Sequence, residues 1–161
     1  MIKKINVFGW IGIIVIVLIG FLAWYSPKAK EIKVEKEKNM TSREVALLCT
    51  TDMATAYHIH PEVEIVINGV KTEIPPNMGV EQVCMTSIHT HEGGGLIHIE
   101  APVQRDFTLG DFFAVWKKSY PSSIPSVITN GTIGKVTVNG VEVSTYEETV
   151  FKDRDKLVVI F

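Results

Sequence analysis

The sequence predicts an α+β fold that is mostly β: a small antiparallel, β-hairpin-rich domain with one or two short helices, behind an N-terminal transmembrane helix. Short runs suited to strands flank Asn68-Gly69 and Asn139-Gly140. An Asn-Gly pair between such runs is the strongest short hairpin signal, because both residues tolerate the positive φ of a type I′ turn. Residues 7–25 carry no charge, and a helix of that length spans about 28 Å, close to the thickness of a bilayer core.

The N-terminal region is expected to form an anchor and a stalk. Residues 1–26 are typical of an uncleaved signal anchor, because the apolar run exceeds a signal-peptide core and Ala23-Trp24-Tyr25 offers no small-residue cleavage site. Residues 27–40 are rich in Lys and Glu and predict a solvated stalk. Lys and Arg counts do not fix the orientation of the anchor. Since single N-terminal anchors usually export their one C-terminal domain, we expect residues 41–161 to form an extracytoplasmic domain at the cell membrane.

Cap and turn signals place the elements of this domain. Residues 41–44 read Thr-Ser-Arg-Glu, the pattern of a capping box, and predict a short helix from Val45 to about Cys49. Thr108 can cap a second helix that runs through Asp111 to Trp116. Alternating or apolar runs predict strands at Glu62–Ile67, Val70–Ile74, Val83–His91, Leu96–Ala101, Lys135–Val138, Val141–Val143 and Leu157–Phe161.

All the histidines of the chain lie in two His-x-His pairs and one His-x-Glu pair within residues 58–100. Side chains two residues apart in a strand share a face, so each pair presents its two groups side by side. A tight turn through Gly93–Gly95 is expected to bring His91 near His98 across a hairpin. Clustered neutral imidazoles are the commonest ligands of transition metals. The predicted metal ligands are His58, His60, His89, His91 and His98.

The sequence predicts the histidine ligands more definitely than the identity of the metal or of any further ligand. An imidazole-rich site without thiolate suits copper, zinc, nickel or non-haem iron, and we favour copper over zinc because it has the highest affinity in the divalent series. Glu92 and Glu100 are candidates for an oxygen ligand, or for acceptors that fix the histidine tautomers; otherwise each is an ordinary solvated residue. Met85 shares a face with His89 in the predicted strand, so it is either a thioether ligand or a core residue.

Cys49 and Cys84 are the only cysteines of the chain. An even count in an oxidising compartment favours a disulfide, which would close a loop around His58 and His60. The alternative is a thiolate ligand, although strand parity turns Cys84 away from His89.

The same residues resemble a family of small exported or membrane-anchored bacterial and archaeal proteins with the signature HIH…C…HTHD…GIIHIESP…FTLGQFFDIW. The resemblance covers about residues 49–160 and rests on Tyr57–Pro61, Asn68-Gly69, Ile74-Pro75, Cys84, His89–Glu92, Gly95–Pro102 and Phe107–Trp116. This chain departs at Glu92, where Asp is usual, at Ala101, where Ser is, and at Asp111, where Gln is. Every histidine of the signature is kept. The resemblance implies one coherent domain with a histidine site and names no reaction.

Three functions are compatible with these features. The favoured function is membrane-anchored, extracytoplasmic binding of copper or zinc, for capture, buffering or delivery of the ion. The second is a metal-dependent enzyme in which a His-ligated zinc, copper or iron activates water or oxygen, with Glu92 or Glu100 as base. The third is a metal-free adhesion or assembly module. The formal net charge of −2 and the lack of a basic stripe argue against nucleic acid as a partner.

Overall fold

The chain divides into two compact units, Met1–Asn39 and Met40–Phe161, in a computed structural model that describes residues 7–51 and 56–161. The first unit contains one helix, α1 (Val7–Lys38). Within the described residues, no helix is long and apolar enough to cross a membrane. The first six residues of the predicted anchor lie outside the described part, and the anchor stays a prediction.

The described residues of the second unit contain three short helices and one 3₁₀ turn. They are α2 (Ser42–Leu47), α3 (Leu109–Ser119), α4 (Ser126–Thr129) and the turn Tyr146–Glu148. The capping box predicted at Thr41 and the cap predicted at Thr108 are present: Thr41 accepts from the backbone of Glu44, and Thr108 accepts from the backbone of Asp111. Helix α2 begins directly after its cap and ends before Cys49, so it starts and stops earlier than the sequence predicted.

Eight strands, counted over residues 7–51 and 56–161, form two sheets. They are β1 (Tyr57–Ile59), β2 (Glu62–Ile67), β3 (Val70–Thr72), β4 (Ile88–His89), β5 (His98–Ala101), β6 (Lys135–Val138), β7 (Val141–Val143) and β8 (Lys156–Ile160). The five-stranded sheet has the order β3-β2-β8-β6-β7, and the three-stranded sheet has the order β1-β5-β4. The α+β class with more strand than helix is therefore confirmed.

The five-stranded sheet contains both predicted hairpins and one pairing that the sequence did not predict. Asn68 and Asn139 both have a φ of 51°, followed by glycines at 79° and 82°, as a type I′ turn requires. Strand β8 lies between the hairpins, antiparallel to β6 but parallel to β2. The expectation of purely antiparallel pairing was therefore wrong. The reason is that the C-terminal strand inserts between two local hairpins, a long-range pairing that turn signals do not encode.

The three-stranded sheet is built from shorter strands than predicted. Instead of one strand over Val83–His91, only Ile88 and His89 form β4, and Met85 makes isolated bridges to two loop residues. The hydroxyl of Thr86 donates to the carbonyl of Ile88, and its backbone N–H donates to Gly79. Side-chain to backbone bonds of this kind compete with strand pairing. The bonds of Thr86 therefore limit β4 to the two residues that follow it.

One hydrophobic core lies between the sheets and α3. Fully buried core side chains include Ile88, Ile97, Ile99, Val63, Ile65, Val136, Leu157, Val159, Phe112 and Trp116. In β5 the burial alternates, with Ile99 and Ala101 in the core and His98 and Glu100 half-buried on the opposite face. The face of β5 that bears His98 and Glu100 is therefore the one turned away from the core.

Candidate metal centre

Strand pairing brings the histidine segments together. Antiparallel pairing of β4 with β5 places His89 opposite His98, and pairing of β1 with β5 places His58 opposite Glu100. Directly opposed residues in an antiparallel pair have neighbouring side chains. The central strand β5 therefore joins the two His-x-His segments; its pairing with β4 was expected, and its pairing with β1 was not predicted.

His98 lies at the centre of the histidine cluster. Its ring centroid is 4.7 Å from that of His60, 4.8 Å from His91, 5.5 Å from His89 and 6.1 Å from His58. The other two ring contacts within the cluster stay inside each pair, at 4.4 Å for His58–His60 and 4.9 Å for His89–His91. The expected proximity of His91 and His98 is confirmed.

The five histidines form two ligand groups that share His98. The first, the inner triad, is His89, His91 and His98; the second, the outer triad, is His58, His60 and His98. Within each triad one nitrogen per ring lies within 4.8 Å of the others. Metal–nitrogen bonds of about 2.0–2.1 Å put two ligand nitrogens at most about 4.2 Å apart. Small side-chain rotations therefore suffice to bring each triad onto an ion.

His89 is the most distinctive ligand candidate. It is fully buried, and its Nδ1 lies 3.1 Å from the carbonyl oxygen of Thr86. Because a carbonyl only accepts, Nδ1 is the protonated donor and Nε2 keeps a free lone pair. Nε2 is buried and has no hydrogen-bond partner within the described part of the chain. An imidazole fixed in this way presents a ready ligand atom.

Burial keeps the central rings neutral. Desolvation lowers the pKa of His89 to about 4, against a smaller raising effect of its bond to Thr86. Desolvation also lowers the pKa of His98, helped by the positive charge that His60 and His91 would carry when protonated. Metal binding needs neutral imidazole, so these two rings are in the ligating form at neutral pH.

Two carboxylates lie against the outer triad. Glu100 Oε1 is 3.1 Å from His58 Nε2, in the position predicted for an acceptor that orients a ligand. Asp153 accepts a hydrogen bond from the backbone N–H of His60 at 2.9 Å, and its Oδ1 lies 4.0 Å from the Nδ1 of that ring. The sequence does not predict the role of Asp153, because the contact joins residues 93 positions apart and no local pattern indicates it.

The structure does not bring the other two candidate ligands into a triad. Glu92 is exposed in the turn after His91 and belongs to neither triad. Met85 lines a surface hollow beside the disulfide, together with Thr50 and Val80, and no histidine lines that hollow. The predicted shared face of Met85 and His89 depended on a continuous strand, and the structure interrupts that strand at Thr86.

The predicted disulfide is present between Cys49 and Cys84, with a Cα–Cα distance of 5.4 Å. The backbones of Thr50 and Met85 add two reciprocal hydrogen bonds of 2.9 and 3.0 Å directly beside it. This clamp fixes the chain just before β4. The two sulfurs also lie near Glu81, but a disulfide offers no thiolate to a metal.

Loops on both sides of the cluster fix the histidine segments. The hydroxyl of Thr90, between His89 and His91, accepts from the backbone of Met78 and donates to the carbonyl of Pro75. At the end of the glycine turn, Gly95 has a φ of 106°, and a Cβ there would lie 2.0 Å from the carbonyl oxygen of Val63. Only glycine fits this position, and it aligns the turn that joins the inner pair to His98.

No protein-family model, curated protein or solved structure matches this chain. The resemblance to the family with the histidine signature therefore stays a prediction. The function has to be inferred from the residues and the geometry of the cluster itself.

Proposed function

We propose that this protein binds a transition-metal ion through its histidine cluster and serves to capture, buffer or deliver that ion outside the cytoplasm. The inner triad is the primary site in this proposal. Its main support is the buried Nε2 of His89, which has a free lone pair and no partner among the described residues. The uncharged residues 7–25 support the further proposal that a membrane anchor carries the domain.

The unpartnered nitrogen is costly unless a ligand uses it. Leaving a buried polar group without a hydrogen bond costs about 1–3 kcal/mol. Thr86 already takes the only ring proton of His89, so the remaining lone pair is available to bind a metal ion or to accept a hydrogen bond. His91 and His98 flank it with two further imidazoles. A metal site needs several imidazoles around one point, whereas a core histidine held by ordinary hydrogen bonds needs no imidazole neighbours.

Copper is favoured over zinc as the ion. The ligand atoms on offer are imidazole nitrogens, with carboxylate oxygens at the margin, and this set suits Cu(II) and Zn(II). Copper binds more tightly than zinc in the divalent series, and outside the cytoplasm it meets no cytosolic buffering. Because Met85 lines a different hollow, the proposal does not use a thioether ligand.

A metal-dependent enzyme is the second candidate, and the number of inner ligands is the observation that favours it. Three histidines on a metal leave a coordination position open for water or substrate, as in catalytic zinc sites. Glu100 lies on the same face of β5 as His98 and is the nearest candidate base. Tight binding with an exchangeable water would favour this function, and full ligation without one would favour capture or delivery.

The direct test is copper binding by the full-length chain, purified in detergent without a polyhistidine tag. We expect at least one copper per chain by elemental analysis and a rise in the unfolding temperature on addition of Cu(II). Ligand at one hundred times its dissociation constant stabilises a protein by about 2.7 kcal/mol. His91→Gln should weaken copper binding by about 100-fold or more, because it removes a direct ligand rather than a residue behind one.

Met85→Leu is the matched control, since it keeps the volume of a side chain near β4 and alters no proposed ligand. It should bind copper as the unchanged chain does. His91 is exposed, so the His91→Gln chain should keep its circular dichroism spectrum. If neither copper nor zinc binds above background, or if His91→Gln binds as many copper ions as tightly as the unchanged chain, the proposal is wrong, and a metal-free role would be favoured.

A further inference from the structure

We infer that the cluster takes two transition-metal ions, one in each triad, with the imidazole of His98 as a bridge between them. This inference rests on the proposed function and adds the number of ions and the role of His98. The inner ion is held by His89, His91 and one nitrogen of His98. The outer ion is held by His58, His60 and the other nitrogen of His98.

The five rings are spread too widely for one ion. All the ligand nitrogens of one ion lie within about 4.2 Å of one another. Among the described histidines, the nitrogens group as two sets of three rather than as one set of four or five. Ring contacts show the same division, because each connects two members of one triad. A single ion would therefore leave one His-x-His pair unused.

His98 is placed and shaped to serve both triads. Its ring centroid is almost equally distant from those of His60 and His91, at 4.7 and 4.8 Å. Imidazole has two ring nitrogens on different sides, and each can hold a lone pair when its proton is removed. No other histidine of the cluster has ring contacts to both pairs.

The outer triad has its own charge and tautomer control. Glu100 holds one nitrogen of His58 at 3.1 Å, which leaves the opposite nitrogen for an ion. Asp153 Oδ1 lies 4.0 Å from Nδ1 of His60, where it contributes negative charge and no hydrogen bond to the ring. These two carboxylates offset the charge of a second divalent ion, and such acceptors commonly orient ligating histidines. His58 and His60 therefore have acidic neighbours of their own, as the ligands of a separate metal site would.

Bridging has a defined proton balance. The first ion binds the lone pair of one nitrogen of neutral His98, while the other nitrogen keeps its proton. When the second ion binds that other nitrogen, a metal–nitrogen bond forms, the N–H bond breaks and the proton passes to solvent. No electron is transferred. The outer rings are only partly buried, so this proton has a route to water.

The test is copper stoichiometry and spin counting on the full-length chain in detergent, loaded with Cu(II) and freed of excess metal. We expect two coppers per chain and an electron paramagnetic resonance signal that accounts for far fewer spins than ions, because an imidazolate bridge couples the two spins antiferromagnetically. The double substitution His58→Gln/His60→Gln should bind one copper per chain and show one uncoupled spin.

Each alternative result has a distinct meaning. One copper per chain in both proteins overturns the second site while leaving the proposed function intact. Two coppers that both contribute full spin intensity overturn the bridge. Failure of the unchanged chain to bind any copper overturns the proposed function itself. Because the substituted side chains of His58 and His60 are 37% and 40% exposed, the variant should fold, and its unfolding temperature without metal provides the control.

Discussion

The two sheets of the domain are stabilised in different ways. The five-stranded sheet consists of two local hairpins around a central strand, and cross-strand ion pairs such as Lys71–Glu64 and Lys135–Glu142 cover its exposed side. The three-stranded sheet has strands of only two to four residues. It carries His58, His89 and His98, while His60 and His91 lie just beyond the ends of β1 and β4. Contacts from neighbouring loops, the turn at Gly95 and the disulfide stabilise this small sheet.

The two sheets are stabilised differently because they carry different side chains. The large sheet buries the apolar side chains of its central strands, such as Val63, Val136 and Val159, and its most exposed apolar residues, Val70 and Val141, lie in the edge strands β3 and β7. The small sheet buries His89 with an unpartnered nitrogen, at a cost that the metal would recover only when bound. A sheet with few ladder bonds and a costly side chain needs external constraints, and Gly95 and Cys49–Cys84 supply them.

Gly95→Ala is expected to cause the largest loss of unfolding free energy among the substitutions that separate the two sheets. The new Cβ would lie 2.0 Å from the carbonyl oxygen of Val63, with a backbone φ of 106°. Positive φ costs about 1–3 kcal/mol for such a residue, and the clash with backbone should bring the total loss of unfolding free energy to about 4 kcal/mol. Copper affinity should fall too, because the turn spaces His91 from His98. Chemical denaturation and copper competition measure both effects.

Gly94→Ala is the matched control for this turn. Its φ is 104°, but a Cβ there would have no neighbour within 4 Å. The expected loss is therefore only the conformational part, about 1–3 kcal/mol. Equal losses for the two substitutions would show that the close approach of Gly95 to Val63 does not constrain the site.

Removal of the disulfide should have the next largest effect. Cys49 and Cys84 are separated by 35 positions, and the chain-entropy model gives a loop of that length about 3–4 kcal/mol. We expect Cys49→Ser/Cys84→Ser to lose this much unfolding free energy, measured in denaturant. Copper affinity should fall as well, because the crosslink holds the segment that leads into β4.

Reduction of the unchanged chain with a thiol reagent gives an independent measure of the same effect. It should reproduce the destabilisation of the double variant and leave that variant itself unaffected. Unchanged copper affinity in the double variant, measured without reagent, would mean that Thr86 and Thr90 position His89 without help from the crosslink.

Local signals in the sequence were sufficient for much of the fold. Asn68-Gly69 predicted its hairpin and Thr108 predicted the start of α3, because each signal and its consequence lie within a few residues of one another. The meeting of His91 and His98 was also predicted, since strand parity and one glycine turn determine it. Cysteine parity was sufficient for the disulfide.

Long-range pairings could not be predicted in this way. The parallel pairing of β8 with β2 joins segments more than ninety residues apart, and nothing in either run selects the partner. The contact of Asp153 with His60 is of the same kind. The interruption of the strand at Thr86 was not predicted for a different reason. The Thr86 hydroxyl donates to the carbonyl of Ile88, and an alternating sequence pattern does not indicate such a side-chain bond.

The smallest expected effects concern the two Asn-Gly turns, and they test whether the large sheet is independent of the site. Asn68→Ala should lose about 1 kcal/mol, because alanine disfavours the φ of 51° that this position adopts. Asn139 has the same φ, and its side chain also donates to Asp155 and accepts from the backbone of Lys156 at the start of β8.

Asn139→Ala should therefore lose about 2 kcal/mol, since exposed hydrogen bonds of this kind add about 0.5–1.5 kcal/mol each at most. Both losses are read from denaturant unfolding, and copper affinity should be unchanged in both variants because neither turn touches the histidine segments. A drop in copper affinity comparable to that of Gly95→Ala would contradict the separation of the two sheets. It would mean that β8, which follows directly after Asp153, transmits strain from the Asn139 turn to His60.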